Sequence, residues 1–305
     1  MLMDPIRIAR AVATNVLALL FPRYYLKITE QTGRGSGDTE PLQVAEYYYE
    51  CFIDYIEQIS SSLDQVSEFL KGKTLLEYGP GDIPGVALLF YAYGAEAVVL
   101  VDRFPMLKLD ADNLTIIAAL IEKLPAPEKD RALGAFKRKG DLHSGLREEV
   151  LSYQTHAKGL SCLNGAIDMI YSRAVLEHVA DLDASFSDMF RALRPGGFAI
   201  HQVDLKSHGL HQVNPLDFLI WPSWLWRLMY SGKGVPNRWR FNKYREVVAK
   251  TGLITTSIHS TSIASKQDVD DVREKLPLVF KDVSDEDLKC LGFWMYLHKP
   301  LSAHK

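Results

Sequence analysis

Two apolar runs in this 305-residue chain end in acids: Leu75-Leu76 leads into Glu77, and Val98-Val99-Leu100-Val101 leads into Asp102. Glu77 also opens a turn-forming stretch, Tyr78-Gly79-Pro80-Gly81-Asp82-Ile83-Pro84-Gly85. Glycine lets a backbone turn sharply and come close to a ligand that a side chain would obstruct. A glycine loop alone would serve any of several nucleotide cofactors, so the carboxylate is what discriminates. At the head of such a loop it would repel the pyrophosphate of a dinucleotide and favour a cofactor that carries positive charge and no phosphate. Asp102, with Arg103 beside it, is spaced to accept both hydroxyls of a cofactor ribose. Asp141, between Gly140 and Leu142, is spaced for a hydrogen bond at the edge of an adenine. Any one of these acids would serve equally as a helix cap or a solvated loop residue; three at successive strand ends point to one ligand.

Histidines supply the second kind of chemistry. Their pKa near neutrality suits removal of a proton from a hydroxyl group. His178 sits in Leu176-Glu177-His178-Val179, His201 inside an apolar run, and His208 in the loop that follows. His201 with Asp204 is the first pair to test as a base, although a histidine inside a strand also reads as a satisfied core residue. Downstream, Trp221, Trp224, Trp226, Tyr230, Trp239 and Tyr244 could stack on sugar rings or line an aromatic pocket. Arg227, Lys233, Arg238 and Arg240 could meet phosphate or carboxylate on an acceptor. Packing is the competing role for the aromatics.

The elements that must position these residues follow from periodicity. Strands are expected at 74–78, 97–101, 135–139, 167–171 and 198–203, with helices at 86–93, 106–123 and 183–193 between them. Short apolar strands alternating with helices predict a parallel sheet covered on both faces. Ligands in such sheets bind at the carboxyl ends of the strands, where the acids above fall. Residues 253–259 and 293–298 are expected as late strands that could close the sheet as an antiparallel edge pair, with 268–290 mostly helical. Before the sheet, 5–21 and 41–70 read as helices.

Composition narrows the class. Hydrophobic residues are 47% and charged residues 24%, ordinary for a globular protein. A net charge of -3 with no long basic run argues against a dedicated nucleic-acid binder. Cys51, Cys162 and Cys290 are scattered and odd in number, which predicts a reducing cytoplasmic setting rather than a disulfide framework. Arg7 and Arg10 precede an apolar stretch over 11–21, but no small-residue cleavage site follows and the stretch is too short to span a bilayer. A first helix packed on the body is expected, with peripheral contact at a membrane surface as the second reading.

Taken together, Leu75-Leu76-Glu77-Tyr78-Gly79-Pro80-Gly81, Val99-Leu100-Val101-Asp102, Gly140-Asp141, Ile167-Asp168-Met169-Ile170-Tyr171-Ser172, Val175-Leu176-Glu177-His178-Val179 and Leu193-Arg194-Pro195-Gly196-Gly197 resemble, in order, the class I methyltransferases that use S-adenosylmethionine (SAM). The resemblance covers residues 73–204. It implies a Rossmann-like three-layer α/β sandwich with a mostly parallel seven-stranded sheet. It also implies SAM contacts from Glu77, Gly79, Pro80, Gly81, Gly85, Asp102, Arg103, Asp141, Leu142, Ser172 and Arg173. Ile83 stands at the usual third glycine position, with Gly85 two residues later. The remainder is loosely similar, through His201-Gln202-Val203-Asp204-Leu205 and Asn237-Arg238-Trp239-Arg240, to methyltransferases encoded with surface-polysaccharide genes. Glu177-His178 is similar to the end of a Glu-x-x-Glu-His signature in metal-assisted relatives, but Ala174 replaces the leading acid, so metal independence is expected.

A helical cap is expected over 1–70 and a methyltransferase domain over 71–305, with an aromatic acceptor lid at about 205–250. The expected reaction is O-methylation of a small-molecule, saccharide or lipid-linked acceptor, with His178, His201 or His208 and Asp204 handling the proton. An NAD-dependent oxidoreductase and a non-catalytic SAM-binding partner protein are the alternatives; the oligomeric state is left open.

Overall fold

The computed structural model describes residues 5–29, 32–33, 40–59, 62–156 and 161–301. Four helices lead: α1 (Pro5–Leu20), α2 (Pro22–Thr29), α3 (Pro41–Ile59) and α4 (Leu63–Leu70). Then come β1 (Thr74–Tyr78), α5 (Gly85–Ala92), β2 (Ala97–Asp102), α6 (Ala111–Glu122), α7 (Ala126–Leu133), β3 (Phe136–Arg138), β4 (Asp141–Leu146), β5 (Leu151–Thr155) and β6 (Ile167–Arg173). A 3-10 turn, Leu176–His178, precedes α8 (Leu182–Ala192) and β7 (Leu193–Asp204). The chain finishes with α9 (Ser223–Tyr230), α10 (Phe241–Thr251), β8 (Ile254–Ile263), α11 (Lys266–Arg273), α12 (Leu278–Lys281), α13 (Asp285–Lys289) and β9 (Cys290–His298).

Seven strands form one sheet in the order β5-β2-β1-β6-β7-β9-β8. β1 runs parallel to β2 and β6, and β2 parallel to β5. Lys299 N donates to Gly197 O and Leu205 N to Leu291 O, so β9 descends as β7 ascends and the two are antiparallel. Buried residues fill β1 after Thr74, as expected for a central strand with both faces covered. α5 is buried at every position, and its apolar composition all round suits that place.

Two compact units divide the chain. One comprises Thr32–Ser172, Asp188–Ile200 and His298–Lys305; the other comprises Met1–Gln31, Arg173–Ser187 and His201–Leu297. The division cuts across the expected 1–70 cap. α3 packs on α5 and α6 within the first unit, whereas α1 packs on α2 and α9 within the second.

Several elements differ from expectation. The strand expected at 135–139 is only Phe136–Arg138, and it pairs antiparallel with β4 in a separate two-stranded sheet. The place beside β2 is taken by β5, whose Leu-Ser-Tyr-Gln-Thr sequence carries too little apolar signal to stand out. The helix expected at 106–123 starts at Ala111, because the Asp110 side chain accepts from Asn113 N and caps it. The 268–290 stretch is three short helices: Pro277 and Ser284 each open a new one.

Candidate functional site

Within the first unit, β1 delivers Glu77 and Tyr78 to a tight loop. Gly79 and Gly81 take φ values of 68° and 74°, in the left-handed region that glycine adopts without strain. Gly79 N donates to Val101 O at 2.8 Å, fastening the loop to β2. A Cβ at Gly81 would lie 2.8 Å from Thr32 O, and Asp82 N donates to that same carbonyl at 3.0 Å. Backbone from 32–33 therefore lies directly against the loop, a close approach the sequence did not reveal.

Glu77 is only 8% exposed, and its Oε2 accepts from Tyr171 Oη at 3.2 Å. Burial pushes the Glu77 carboxyl up to about 8, the Tyr171 hydrogen bond opposes this, and the nearby Asp102 charge adds to it. Asp102, also 8% exposed, accepts from Phe104 N at 3.1 Å. Burial raises it to about 6, opposed by the backbone amides of Phe104, Arg103 and Gly81. Two buried carboxyls thus end adjacent parallel strands beside a loop with little side chain. These carboxyls can accept from an ammonium and a ribose diol, and in their ionised form they would repel a pyrophosphate.

The other expected cofactor residues divide. Arg103 is half-buried with its guanidinium 5.0 Å from the Phe104 ring centroid, and Ser172 is fully buried at the end of β6. Pro80 is buried within the loop. Gly85 opens α5, where a Cβ would lie 2.5 Å from the Tyr48 ring, so its missing side chain serves helix packing. Arg173 belongs to the second unit, 5.9 Å over the Trp294 ring. Asp141 and Leu142 do not end a strand of the main sheet. They start β4 of the hairpin, where Asp141 pairs with Arg138 at 2.6 Å. The strand end beside Asp102 is instead Thr155, followed by His156, whose N–H donates to Asp102 O at 2.9 Å. Tyr78 has a structural role, since its hydroxyl bonds buried Asp188, which also accepts from Ser161 N at 2.8 Å.

Within the second unit a compact acid–histidine cluster forms. Ala174 takes a φ of 51° just after β6, and the 3-10 turn then presents Glu177 and His178. Asn237 braces this turn: its N–H donates to Glu177 O at 2.5 Å, and its side-chain amide donates to Leu176 O and Val179 O at 3.0 and 2.9 Å. Glu177 is 1% exposed, and no described donor meets hydrogen-bond geometry with either of its carboxyl oxygens. Its Oε1 lies 3.9 Å from His208 Nε2 and 4.0 Å from His178 Nε2. The two imidazoles meet edge to face with centroids 5.0 Å apart, and Asp204 Oδ2 is 3.9 Å from His208 Nε2. Burial pushes Glu177 well above the usual carboxylate range, and the charge of Asp204 adds to that. Burial, reinforced by the neighbouring His208, lowers His178 to about 4. His208 itself holds a φ of 51°, a left-handed conformation that costs a non-glycine residue roughly 1–2 kcal/mol.

The structure brings His178, His208 and Asp204 together around Glu177, and it leaves His201 out. His201 is fully buried, packs edge-on against Phe186 with centroids 6.2 Å apart, and is lowered to about 3 by burial. Asp204 therefore sits beside His208 rather than His201. One ligand atom each from Glu177, His178 and His208 lie within 4.8 Å of one another, a set that could hold a divalent ion. The aromatics of 205–250 mostly pack: Trp221, Trp226 and Tyr230 join one apolar cluster, and Tyr244 is fully buried. Arg238 and Arg240 are buried too, and spend their guanidinium groups on Trp221 O and on Leu205 O and Leu288 O. Neither is placed to meet an acceptor phosphate.

Comparison with known proteins adds the family. No curated protein matches the chain. Among solved structures, a sarcosine dimethylglycine methyltransferase homologue from Galdieria sulphuraria is 13% identical with a TM-score of 0.46, covering 92% of this chain and 98% of its own. A SAM-dependent methyltransferase homologue from Listeria monocytogenes is 16% identical with a TM-score of 0.43, covering 78% and 95%. Phosphoethanolamine N-methyltransferase 2 of Haemonchus contortus, solved with SAM, is 15% identical with a TM-score of 0.43; 78% of this chain matches 52% of that one, about half its length. The family model described as a methyltransferase domain matches residues 50–257, more than half of the sequence and both carboxylate clusters, so the chain belongs to the methyltransferase-domain family.

Proposed function

We propose that this protein transfers a methyl group from SAM to a hydroxyl oxygen of a small-molecule, saccharide or lipid-linked acceptor, with His208 as the general base. The observation that carries the cofactor is the pair of buried carboxyls, Glu77 and Asp102, ending adjacent strands beside a loop opened by Gly79 and Gly81. Glu77 serves the α-amino group and Asp102 the ribose hydroxyls, while the loop backbone lies close to the adenosine. When bound, SAM supplies an electrophilic methyl group; the protein supplies orientation, exclusion of water and a place for the acceptor's proton.

His208 is the better base of the cluster. His178, lowered to about 4, is too weak to accept a proton at neutral pH, whereas His208 is a third exposed and has Asp204 at hand to stabilise its imidazolium. The acceptor O–H proton moves to His208 as the oxygen attacks, and Asp204 balances the charge that results. Burial pushes the Glu177 carboxyl well above the usual carboxylate range, which disfavours a second full negative charge beside the two rings. The chemistry is metal-independent, and the chain works as a peripheral or free protein of a reducing compartment, where Cys51, Cys162 and Cys290 stay as thiols. No helix among the described residues is long and apolar enough to cross a membrane.

Transfer of labelled methyl from SAM into an extract of the source cells, followed by mass analysis, tests the acceptor class. Label in a small or lipid-extractable product is expected; label confined to protein or RNA would overturn it. Titration with SAM and with NADH separates the methyltransferase from the oxidoreductase alternative, and a protein that binds SAM yet transfers nothing would be the non-catalytic partner.

A further inference from the structure

We propose that α1, α2 and α9 form a surface that docks onto an anionic lipid bilayer. All three helices belong to the second unit, so the surface is defined without reference to the cofactor loop. α1 turns Ala11, Asn15 and Ala18 inward. Asn15 Nδ2 donates to Leu228 O at 2.9 Å, and Gly232 N donates to Asn15 Oδ1 at 2.7 Å, which locks α1 across the end of α9. Gly232 permits the crossing, because a Cβ there would lie 2.6 Å from Leu19 Cγ.

The outward face of α1 is what needs an explanation. On a helix that packs against a soluble core, the solvent face is polar. Here Ala9, Ala13, Val16 and Leu20 recur at helical spacing on the exposed side, with Arg10 the one charge among them. The apolar ridge continues through Phe21, Tyr24 and Ile28, which are 59, 58 and 50% exposed. α9 adds Trp224 and Leu228, one turn apart and 68 and 49% exposed. The tryptophan, tyrosine and phenylalanine are the types that settle at the boundary between acyl chains and headgroups.

Charge identifies the occupant. Residues 5–29 contain Arg7, Arg10, Arg23 and Lys27 and no acid, and residues 223–233, α9 and the turn after it, contain Arg227 and Lys233 and again no acid. This happens in a chain whose net charge is -3, so the sign is local to these helices. Lys233 is lowered to about 8 by burial and by the charge of Arg10, a crowding that a phosphate between them would relieve. A bilayer containing anionic lipid matches both features: acyl chains for the ridge and phosphates for its basic flank. α1 has only 16 residues, so it lies along the surface and does not span it. The surface would act whatever the acceptor; for a lipid-linked acceptor it would also bring enzyme and substrate to the same plane.

The test is co-sedimentation of the full chain with vesicles of phosphatidylcholine alone or with added phosphatidylglycerol. Sedimentation only with the anionic vesicles is expected, weakening as salt rises. Arg23→Glu with Lys27→Glu should lower partition by about fivefold for each cation lost. Leu20→Asp with Phe21→Asp should lower it tenfold or more. Leu278→Asp, at an 87% exposed leucine on α12, serves as a control that leaves partition unchanged. SAM titration of each variant verifies the fold and keeps a failure here distinct from failure of the methyltransferase reading. The proposal is overturned if the wild type stays in the supernatant, or if both paired variants sediment like it. It is equally overturned if light scattering shows a dimer that the Leu20/Phe21 pair makes monomeric while no vesicle binds either form, since the face would then belong to a second copy.

Discussion

Tyr171 Oη donates to Glu77 Oε2 at 3.2 Å, where the side chains of both are buried within the central strands of the sheet. That bond is the strongest opposition to the burial that pushes Glu77 up to about 8. In the ligand-free protein Glu77 is thus largely protonated at neutral pH, and a cationic ligand must draw the proton off. A ligand that prefers the ionised form binds more tightly as pH rises, by about tenfold per unit below 8, and levels off above it. Isothermal titration of SAM between pH 6 and 9 should show this slope in the wild type and a flatter one in Glu77→Gln. The ligand's own amine titrates identically in both and cancels. Equal slopes would remove Glu77 from the site. Without ligand, the folded form keeps a proton that the unfolded chain releases near 4.5, so Glu77 lowers stability as pH rises from 4.5 towards 8.

Asp102 makes a second, separable prediction. Its carboxyl already accepts from Phe104 N, and on the proposed reading its remaining capacity takes the two hydroxyls of a ribose. Asp102→Ala removes an ionised acceptor worth about 1.5–3 kcal/mol per hydrogen bond. SAM affinity should fall by roughly 10- to 100-fold, and 2′-deoxy analogues should lose less in the variant than in the wild type. Unchanged SAM affinity would sink the ribose assignment.

Gly81 and Gly85 should respond differently to the same substitution. At Gly81, alanine meets both a φ of 74° and the Thr32 carbonyl at 2.8 Å, so the loop must move away from the 32–33 backbone. Gly81→Ala should weaken SAM binding at least tenfold while costing only about 1–2 kcal/mol of stability. At Gly85 the obstacle is the buried ring of Tyr48, and Gly85→Ala overpacks the contact between α3 and α5. It should cost about 1–3 kcal/mol of stability, seen as a lower urea midpoint, with SAM affinity little changed in the protein that remains folded. The reverse pattern would exchange the two roles.

The parts of this architecture legible in the sequence are those with dense local signals. β1 and β2 are short apolar runs that end in an acid, and central parallel strands read that way because both faces are covered. β5 escaped notice because alternating polar residues reach the sheet edge, and that displaced Asp141 from a strand end to a hairpin. His201 looked more useful than His208 because it lies in a regular strand near Asp204. In the structure a strand position buries His201, while the turn at His208 brings its ring to Asp204 and Glu177. No local pattern encodes that meeting: it depends on Asn237, 60 residues beyond Glu177, bracing the 3-10 turn. The basic residues at 238 and 240 misled for a related reason, because spacing cannot tell a guanidinium that meets solvent from one spent on buried carbonyls.

His208 carries the last prediction. General-base catalysis by a positioned histidine contributes about 10²- to 10⁴-fold, so His208→Asn should lower kcat by that order while leaving SAM affinity within about twofold. Asp204→Asn should lower kcat less, because it removes the stabilisation of the imidazolium and leaves the base in place. His201→Phe, in a fully buried site beside Phe186, should alter stability and leave kcat of the folded fraction unchanged. Dialysis against a chelator discriminates the remaining use of the cluster. If His208 acts as a free base, metal removal leaves kcat unchanged; if Glu177, His178 and His208 instead hold an ion, removal abolishes activity and a divalent salt restores it. Loss of activity on chelation, or a full-rate His208→Asn enzyme, would each overturn the assignment of the proton to His208.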